Sequence, residues 1–470
     1  MIQSKKAIGF FYGVGFLAIS YLLFKTLSIV AFSDFSLFEW QIKQVLKGST
    51  QLPYSQFSND PNLFFFPIPN VFFHLTNSRI DSTFPNLYPI LFAPIYFFLG
   101  KLGIQIVQLI LFFGTIWLFH RIKRDHLQTM LLLFGSSLPI YIDLIHDTVF
   151  VFFLEIFLFY CFHKKHIVLA SFISVVLVWM RPEFLSVLCL IPLFFEWKTI
   201  WKQYLVWFFL FLICFVSGNY LYYETPLPLR LLKNATFHWN PEVVLYLFRL
   251  LVEQIPVFSV FIILLFLFLF QKKFPLRFFV LVLMTCFLII LSPNTGGHNT
   301  PRYLYCLVPY YAFSIQSLPN ETTILRKGFF ILLVFVCIYS TYQWNYQTKE
   351  LIKISKFQTN TLSALKNLKE DTFVFNNSDF SFVALPLIEE NKNLVLIRNH
   401  PKENQLGIFL SQQQINTFVF LELPPSPFPI PNPFVTSNCL NNCEYVLKEQ
   451  YPLPDTMLPI MVFKFSNSRN

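Results

Sequence analysis

Glycine is scarce in this chain, 13 of 470 residues, and it builds neither a P-loop nor a G-x-G-x-x-G turn. Without those phosphate-cradling backbones, an enzyme driven by ATP or by a sugar nucleotide finds no support. A His-Glu-x-x-His helix is also missing, and no internal repeat is evident. No G-x-x-x-G seam stands out, so apolar helices here pack through bulky side chains rather than close backbone approach. Charge is equally thin, at 13% of residues against 55% hydrophobic, and 62 residues are Phe. A soluble domain could not hide that much apolar surface, so the bilayer must be its solvent. Of the eight cysteines, Cys161, Cys189, Cys214, Cys286, Cys306 and Cys337 lie in or beside apolar runs and read as small hydrophobes. Cys439 and Cys443 stand alone in a polar tail. Outside the cytoplasm they could close a small disulfide loop; with no His nearby they make a poor zinc site.

The net charge of +10 does not imply nucleic acid. Its basic residues sit in short clusters between apolar runs (His120–Arg124, His163–His166, Lys198–Lys202, Lys272–Arg277, Arg326-Lys327), the pattern of cytoplasmic loops. Apolar stretches fall near 8–32, 88–100, 104–119, 129–142, 148–162, 167–180, 183–195, 203–221, 254–270, 277–292, 303–318 and 328–343. The expected fold is an α-helical polytopic membrane protein of about eleven or twelve hydrophobic segments. Segment 88–100 carries Pro89 and Pro94 and falls short of the ~20 residues that a ~30 Å hydrocarbon core needs, so a re-entrant or protein-buried piece is expected there. Lys5-Lys6 precede the first run and no basic residue directly follows it. That places the N-terminus inside and Asp34, just past the run, at the outer surface. The first run has no clean small-x-small cleavage site and reads as a retained anchor.

Residues 1–347 are expected to form a transmembrane domain with a first outer loop at 33–87. In that loop Phe35, Phe38, Ile42 and Val45 recur at helical spacing, which predicts a helix lying on the membrane interface. Residues 348–470 change composition. The β-like runs Thr372–Phe375, Asn393–Ile397, Thr417–Leu421 and Ile460–Phe465, with helical stretches near 379–390 and 403–414, predict a small extracytoplasmic α/β domain. Pro424–Pro433 reads as an extended loop.

Four motifs follow one another in order. Asp34 is followed by Gly48 and Pro53-Tyr54; then comes Tyr88-Pro89-Ile90-Leu91; then Arg181-Pro182-Glu183; then Pro301-Arg302-Tyr303-Leu304 with Pro309 beyond. In this succession the chain resembles the polytopic C-type glycosyltransferases (GT-C) of the bacterial mannosyl- and arabinosyltransferase kind, over about residues 8–345. It departs from them in lacking the second proline after Tyr88-Pro89, and in lacking a second acid adjacent to Asp34. The resemblance implies a hexosyl- or pentosyltransferase that takes sugar from a polyprenyl-phosphate donor. It further implies an integral, multi-pass protein of a bacterial inner membrane, and makes Asp34 the catalytic base.

The chemistry agrees with that role. The acceptor hydroxyl must lose a proton as it attacks the anomeric carbon, which a carboxylate within hydrogen-bond reach can accept. The leaving phosphate needs cations or donors. Candidates for substrate contact are Glu39, Tyr54, Tyr88, Arg181, Glu183, Lys233, His298, Arg302 and Tyr303, with Arg230 beside Lys233. Each also has a plain reading: Asp34 as a helix cap, Arg302 as a snorkelling anchor, Arg181 and Glu183 as mutual neutralisation. Glu155, midway along an apolar run, needs a cavity or a partner, for which Arg181 is the nearest candidate. No cofactor is certain; a divalent metal stays possible, although the lone Asp34 reads as a base rather than half of a metal site. The expected partners are the lipid-linked donor, a glycan, lipid or protein acceptor, and membrane lipid. A transporter or flippase of lipid-linked glycans, or a ligase or polymerase of them, is the alternative.

Overall fold

A computed structural model describes residues 5–26, 34–77, 79–195, 199–234, 240–270, 276–292, 300–315, 323–397, 403–422, 439–440, 444–454 and 460–468. The chain divides into two compact units, one of residues 1–28 with 95–350, the other of 29–94 with 351–470. The division falls inside two helices, Leu87–Lys123 and Thr323–Lys366. The loop 33–87, grouped with the hydrophobic domain in the sequence reading, is thus found in the unit that holds the tail.

The first unit is helical. Helix Thr148–His163 packs on Ile167–Met180, and that helix on Trp201–Tyr223. All three are apolar around most of their circumference, as buried or lipid-facing helices must be. Polar ties fix their register: Ser171 donates to the Tyr204 carbonyl (3.0 Å), and the Tyr204 hydroxyl donates to Ser174 (2.9 Å). Among the described residues, Leu87–Lys123 and Trp201–Tyr223 are long and apolar enough to cross a bilayer. The pair Pro241–Gln254 and Pro256–Leu267, bent by 92°, makes a third if counted together.

Several expected spans take other forms. Segments 88–100 and 104–119 are two helices that meet at a kink at Gly100, within Leu87–Lys123. Gly100 has φ +58°, which a residue without Cβ adopts readily. The runs 129–142, 183–195 and 303–318 are not straight spans. They resolve into short pieces such as His126–Phe134 with the 3₁₀ turn Leu138–Asp143, and Phe184–Leu188 with Ile191–Phe194. Pro139, Pro192 and Pro309 sit in the first turns of these pieces, where the missing N–H costs least but where a preceding helix cannot continue. Hydropathy alone cannot separate such broken segments from true spans.

The second unit is built on a six-stranded sheet. Its strands are β3 (Thr372–Phe375), β4 (Asn393–Leu396), β5 (Thr417–Glu422), β6 (Cys439–Leu440), β7 (Tyr445–Pro452) and β8 (Met461–Asn467). They lie in the order β4-β3-β5-β8-β7-β6. The first three run parallel; β8, β7 and β6 extend the sheet antiparallel from β5. Helix Glu403–Gln412 covers one face through Leu406, Phe409 and Leu410, and Ser378–Ala384 covers the other through Phe380 and Ala384. Phe65 inserts into the first of these cores, stacks on Phe409 (4.5 Å), and accepts at its carbonyl from the Leu396 N–H (3.2 Å). A hairpin of β1 (Phe73–Thr76) and β2 (Arg79–Ser82) completes the early segment. Cys443 and the side chain of Cys439 lie outside the described residues, as does Pro424–Pro433.

The helix predicted after Phe35 is present as Asp34–Leu46, but its apolar face does not meet lipid. Phe35, Phe38 and Ile42 are fully buried within the unit, Phe38 stacking on Phe84 (4.6 Å) and meeting Tyr88 edge-on (5.3 Å). An amphipathic stripe specifies that a face is covered, not by what.

Asp81 on β2 is fully buried, and neither carboxylate oxygen has a hydrogen-bond partner among the described residues. Burial pushes its carboxyl up to about 6, against a small opposing pull from Arg79. The native state therefore holds this proton more tightly than the unfolded chain, and stability falls as pH rises from about 4 through about 6. A shift of this size corresponds to roughly 3 kcal/mol. Asp81→Asn is expected to raise the melting temperature at pH 8 and to flatten its pH dependence between 4 and 7. A pH-melting series on both proteins checks this, and parallel curves would refute it.

Candidate active site

The first unit gathers most of its buried charge where helices Thr148–His163 and Ile167–Met180 meet the 3₁₀ turn Arg302–Leu307. Asp147, just before the first helix, is completely buried. Arg181, just after the second, donates from Nη2 to the Asp147 carboxylate (2.6 Å) and to Thr148 Oγ1 (2.9 Å). Arg230 approaches the other Asp147 oxygen at 3.7 Å. Glu183 lies 3.6 Å from Arg181. Arg302 reaches His146 Nε2 at 3.2 Å. A guanidinium can only donate, so Nε2 accepts from Arg302, while Nδ1 faces Asp147 (3.2 Å), Thr148 Oγ1 (2.6 Å) and the Thr148 N–H (3.2 Å). Burial alone would push the Asp147 carboxyl up, but Arg181, then His146 and Arg230, hold it well below the usual carboxylate range.

Three guanidiniums and three carboxylates share this region. Arg181, Arg230 and Arg302 are all more than nine-tenths buried, and Asp147, Glu155 and Glu183 lie among them. Guanidiniums held this deep offer fixed donors to an anionic group. Beside them opens a cavity of about 180 Å³. Arg230, Glu183, Ser186, Ser292 and Tyr303 line its polar side, and Leu231, Leu288 and Leu291 its apolar side. A second, water-sized space of about 10 Å³ lies between Glu155, Arg181, Glu183, Arg302 and Tyr303. Glu155 is buried, with no hydrogen-bond partner at either oxygen among the described residues. Arg181, its expected partner, is committed to Asp147 instead.

Of the residues singled out by sequence, Arg181, Glu183, Arg302 and Tyr303 share this one region. Lys233 lies on the short helix Leu229–Asn234 that also carries Arg230, half-buried, its ammonium lowered by desolvation. Asp34, Glu39, Tyr54 and Tyr88 belong to the second unit. Asp34 opens the helix Asp34–Leu46; its side chain and all of His298 are outside the described part. Glu39 pairs with Lys43 (3.5 Å), which also reaches Glu389 (3.2 Å). Tyr54 donates to Asp60 (2.9 Å), an acid that also accepts from the N–H groups of Phe64 and Phe65 (2.8 Å each). Tyr88 is fully buried and stacks on Phe92 (4.2 Å). In the sequence His146 and Asp147 stand with Asp143 as a cluster at one expected outer end, without a spacing that marks a ligand set. Among the described residues no three His, Cys, Asp or Glu side chains group to hold a metal, and the Asp147 oxygens already face guanidiniums that compete with a cation.

The fold is similar to that of two crystal structures of ArnT from Cupriavidus metallidurans. With the one bound to undecaprenyl phosphate, the TM-score is 0.55 at 8% identity over 98% of each chain. With the apo form it is 0.53 at 9% identity, over 96% of this chain and 97% of that one. No family model and no curated protein matches the chain.

Proposed function

We propose that the chain is a membrane glycosyltransferase that moves a sugar from a polyprenyl-phosphate donor to a glycan, lipid or protein acceptor on the extracytoplasmic face. The observation that carries this reading is the buried guanidinium cluster, of which Arg230 lines a cavity with one apolar wall and Arg302 lies behind Tyr303, a residue of that lining. A polyprenyl phosphate has the matching chemistry, an anionic head joined to a hydrocarbon chain. ArnT, the fold's neighbour, is a protein solved with undecaprenyl phosphate bound.

In the proposed reaction Asp34 accepts the proton of the acceptor hydroxyl while that oxygen bonds to the anomeric carbon. The bond from that carbon to the phosphate oxygen breaks, inverting the centre, and the charge left on the phosphate is met by Arg230 and Arg302. Donors fixed in a water-poor site stabilise such developing charge far better than water-facing ones. Tyr303 and Ser186 would orient the head group; Leu231, Leu288 and Leu291 would carry the first isoprenes.

Arg230→Ala and Arg302→Ala are each expected to weaken undecaprenyl phosphate binding by roughly 10–150-fold, the equivalent of ~1.5–3 kcal/mol for a hydrogen bond to a charged group. Titration of the purified protein reads this directly, with the Lys variants as folding controls. Wild-type affinity in both Ala variants would remove the cluster from the donor site.

A further inference from the structure

A larger groove lies elsewhere in the first unit. It runs between the helices Lys5–Thr26 and Thr323–Lys366 and encloses about 780 Å³, within the range of roughly 300–1,000 Å³ for ligand pockets. Lys25 bonds Asn345, and Lys349 follows Asn345 by four residues on the same helix face, which brings the two lysines to one end of the groove. Along most of its length the wall is apolar: Phe10, Val14, Ala18, Val334 and Ile338. At one end it turns cationic. Lys25 donates to Asn345 Oδ1 (3.3 Å) and lies 4.4 Å from the centre of the Tyr21 ring. Lys349 stands exposed beside them. Among the described residues no carboxylate lines the groove.

We infer that this groove binds an anionic glycerophospholipid, its phosphate held between Lys25 and Lys349 and one acyl chain laid along the apolar wall. Charge complementarity selects the occupant. A zwitterionic lipid would bring a second cation against the two lysines, and a bare apolar helix would leave both without a counter-charge. The length also suits an acyl chain. From Phe10 to Lys25 the helix rises about 22 Å at 1.5 Å per residue, somewhat more than the ~15 Å of one leaflet's hydrocarbon. Phe10, Tyr21, Ile338 and Tyr342 are each more than half exposed, so the groove opens along its side, where a lipid can enter from the bilayer without threading. This inference needs the protein to lie in a membrane but is independent of the transfer reaction.

The test is lipid retention by the full-length protein in detergent, offered equal phosphatidylglycerol and phosphatidylcholine and read by native mass spectrometry. Wild type is expected to keep one phosphatidylglycerol in at least tenfold preference. Lys25→Gln with Lys349→Gln should erase that preference. Lys25→Arg with Lys349→Arg should keep it, and Ala18→Trp should displace both lipids. Since Lys349 is on the surface, Lys349→Gln alone tests the idea in a protein that must still fold, and at least a threefold loss is expected. Equal retention of the two lipids by wild type, or unchanged preference in the Gln variants, would overturn the assignment. So would stoichiometric displacement of phosphatidylglycerol by undecaprenyl phosphate, which would make the groove a second donor-lipid site.

Discussion

Asp34→Asn is expected to lower sugar transfer by roughly 10²–10⁴-fold, the usual contribution of a positioned general base, with donor affinity unchanged. The substitution separates the two readings of this residue. Asn caps a helix about as well as Asp, so a purely capping role for the first residue of Asp34–Leu46 predicts near-normal activity and stability. A base role predicts loss of turnover alone, because the amide cannot take the acceptor proton. The measurement is transfer from a panel of polyprenyl-phosphate sugars, with undecaprenyl phosphate binding measured on the same preparations. An Asn variant with full turnover on a sugar that wild type uses would end the assignment.

Arg181→Leu is expected to destabilise the protein by about 3–5 kcal/mol, because it leaves Asp147 buried with only its weaker partners. In detergent this corresponds to a fall in Tm on the order of 5–15 °C. Removing both charges, with Arg181→Leu and Asp147→Leu together, should recover part of the loss. What destabilises is an unmatched charge, whereas a well-packed apolar pair in place of an ion pair is often neutral. The pH behaviour distinguishes this acid from Asp81. The Asp147 carboxyl is held below its unfolded value, so its contribution is complete above about pH 4 and disappears only as pH falls further. Asp81 works in the opposite direction between pH 4 and 7. Equal melting of wild type and Arg181→Leu would show that the pair does not support the fold.

Local signals carried well from sequence to structure. Strands β3, β4, β5 and β8 and the intervening helices emerge where alternating apolar runs alternate with 3.6-residue patterns, because each is fixed by its own residues. Strand β7 was not foreseen, since its central Lys448-Glu449-Gln450 faces solvent and only the sheet edge makes it a strand. Arg181 and Arg302 were visible as motif residues. Their partners were not: Asp147 is 34 residues from Arg181 and His146 is 156 from Arg302, separations at which no sequence spacing encodes a contact. Tyr54 and Tyr88 illustrate the reverse. Both stood out as motif members, yet one anchors the Asp60 turn and the other fills a core of aromatic rings.

The second unit draws its residues from both sides of a 256-residue stretch, 95–350. Its early part, including the helix that begins at Asp34, leaves the ribosome long before the sheet that completes its core. During synthesis, Phe65 and the face of Phe35, Phe38 and Ile42 must wait for strands made at the very end. Such non-local closure is slow and leaves apolar surface open to misassociation. A chain truncated within the sheet would thus lose more than its tail. Helix Asp34–Leu46 packs on the segment Ser378–Glu390, so a late stop codon would loosen the support of the helix that opens with Asp34. Quality control on the last strands is, in effect, quality control on a helix made hundreds of residues earlier.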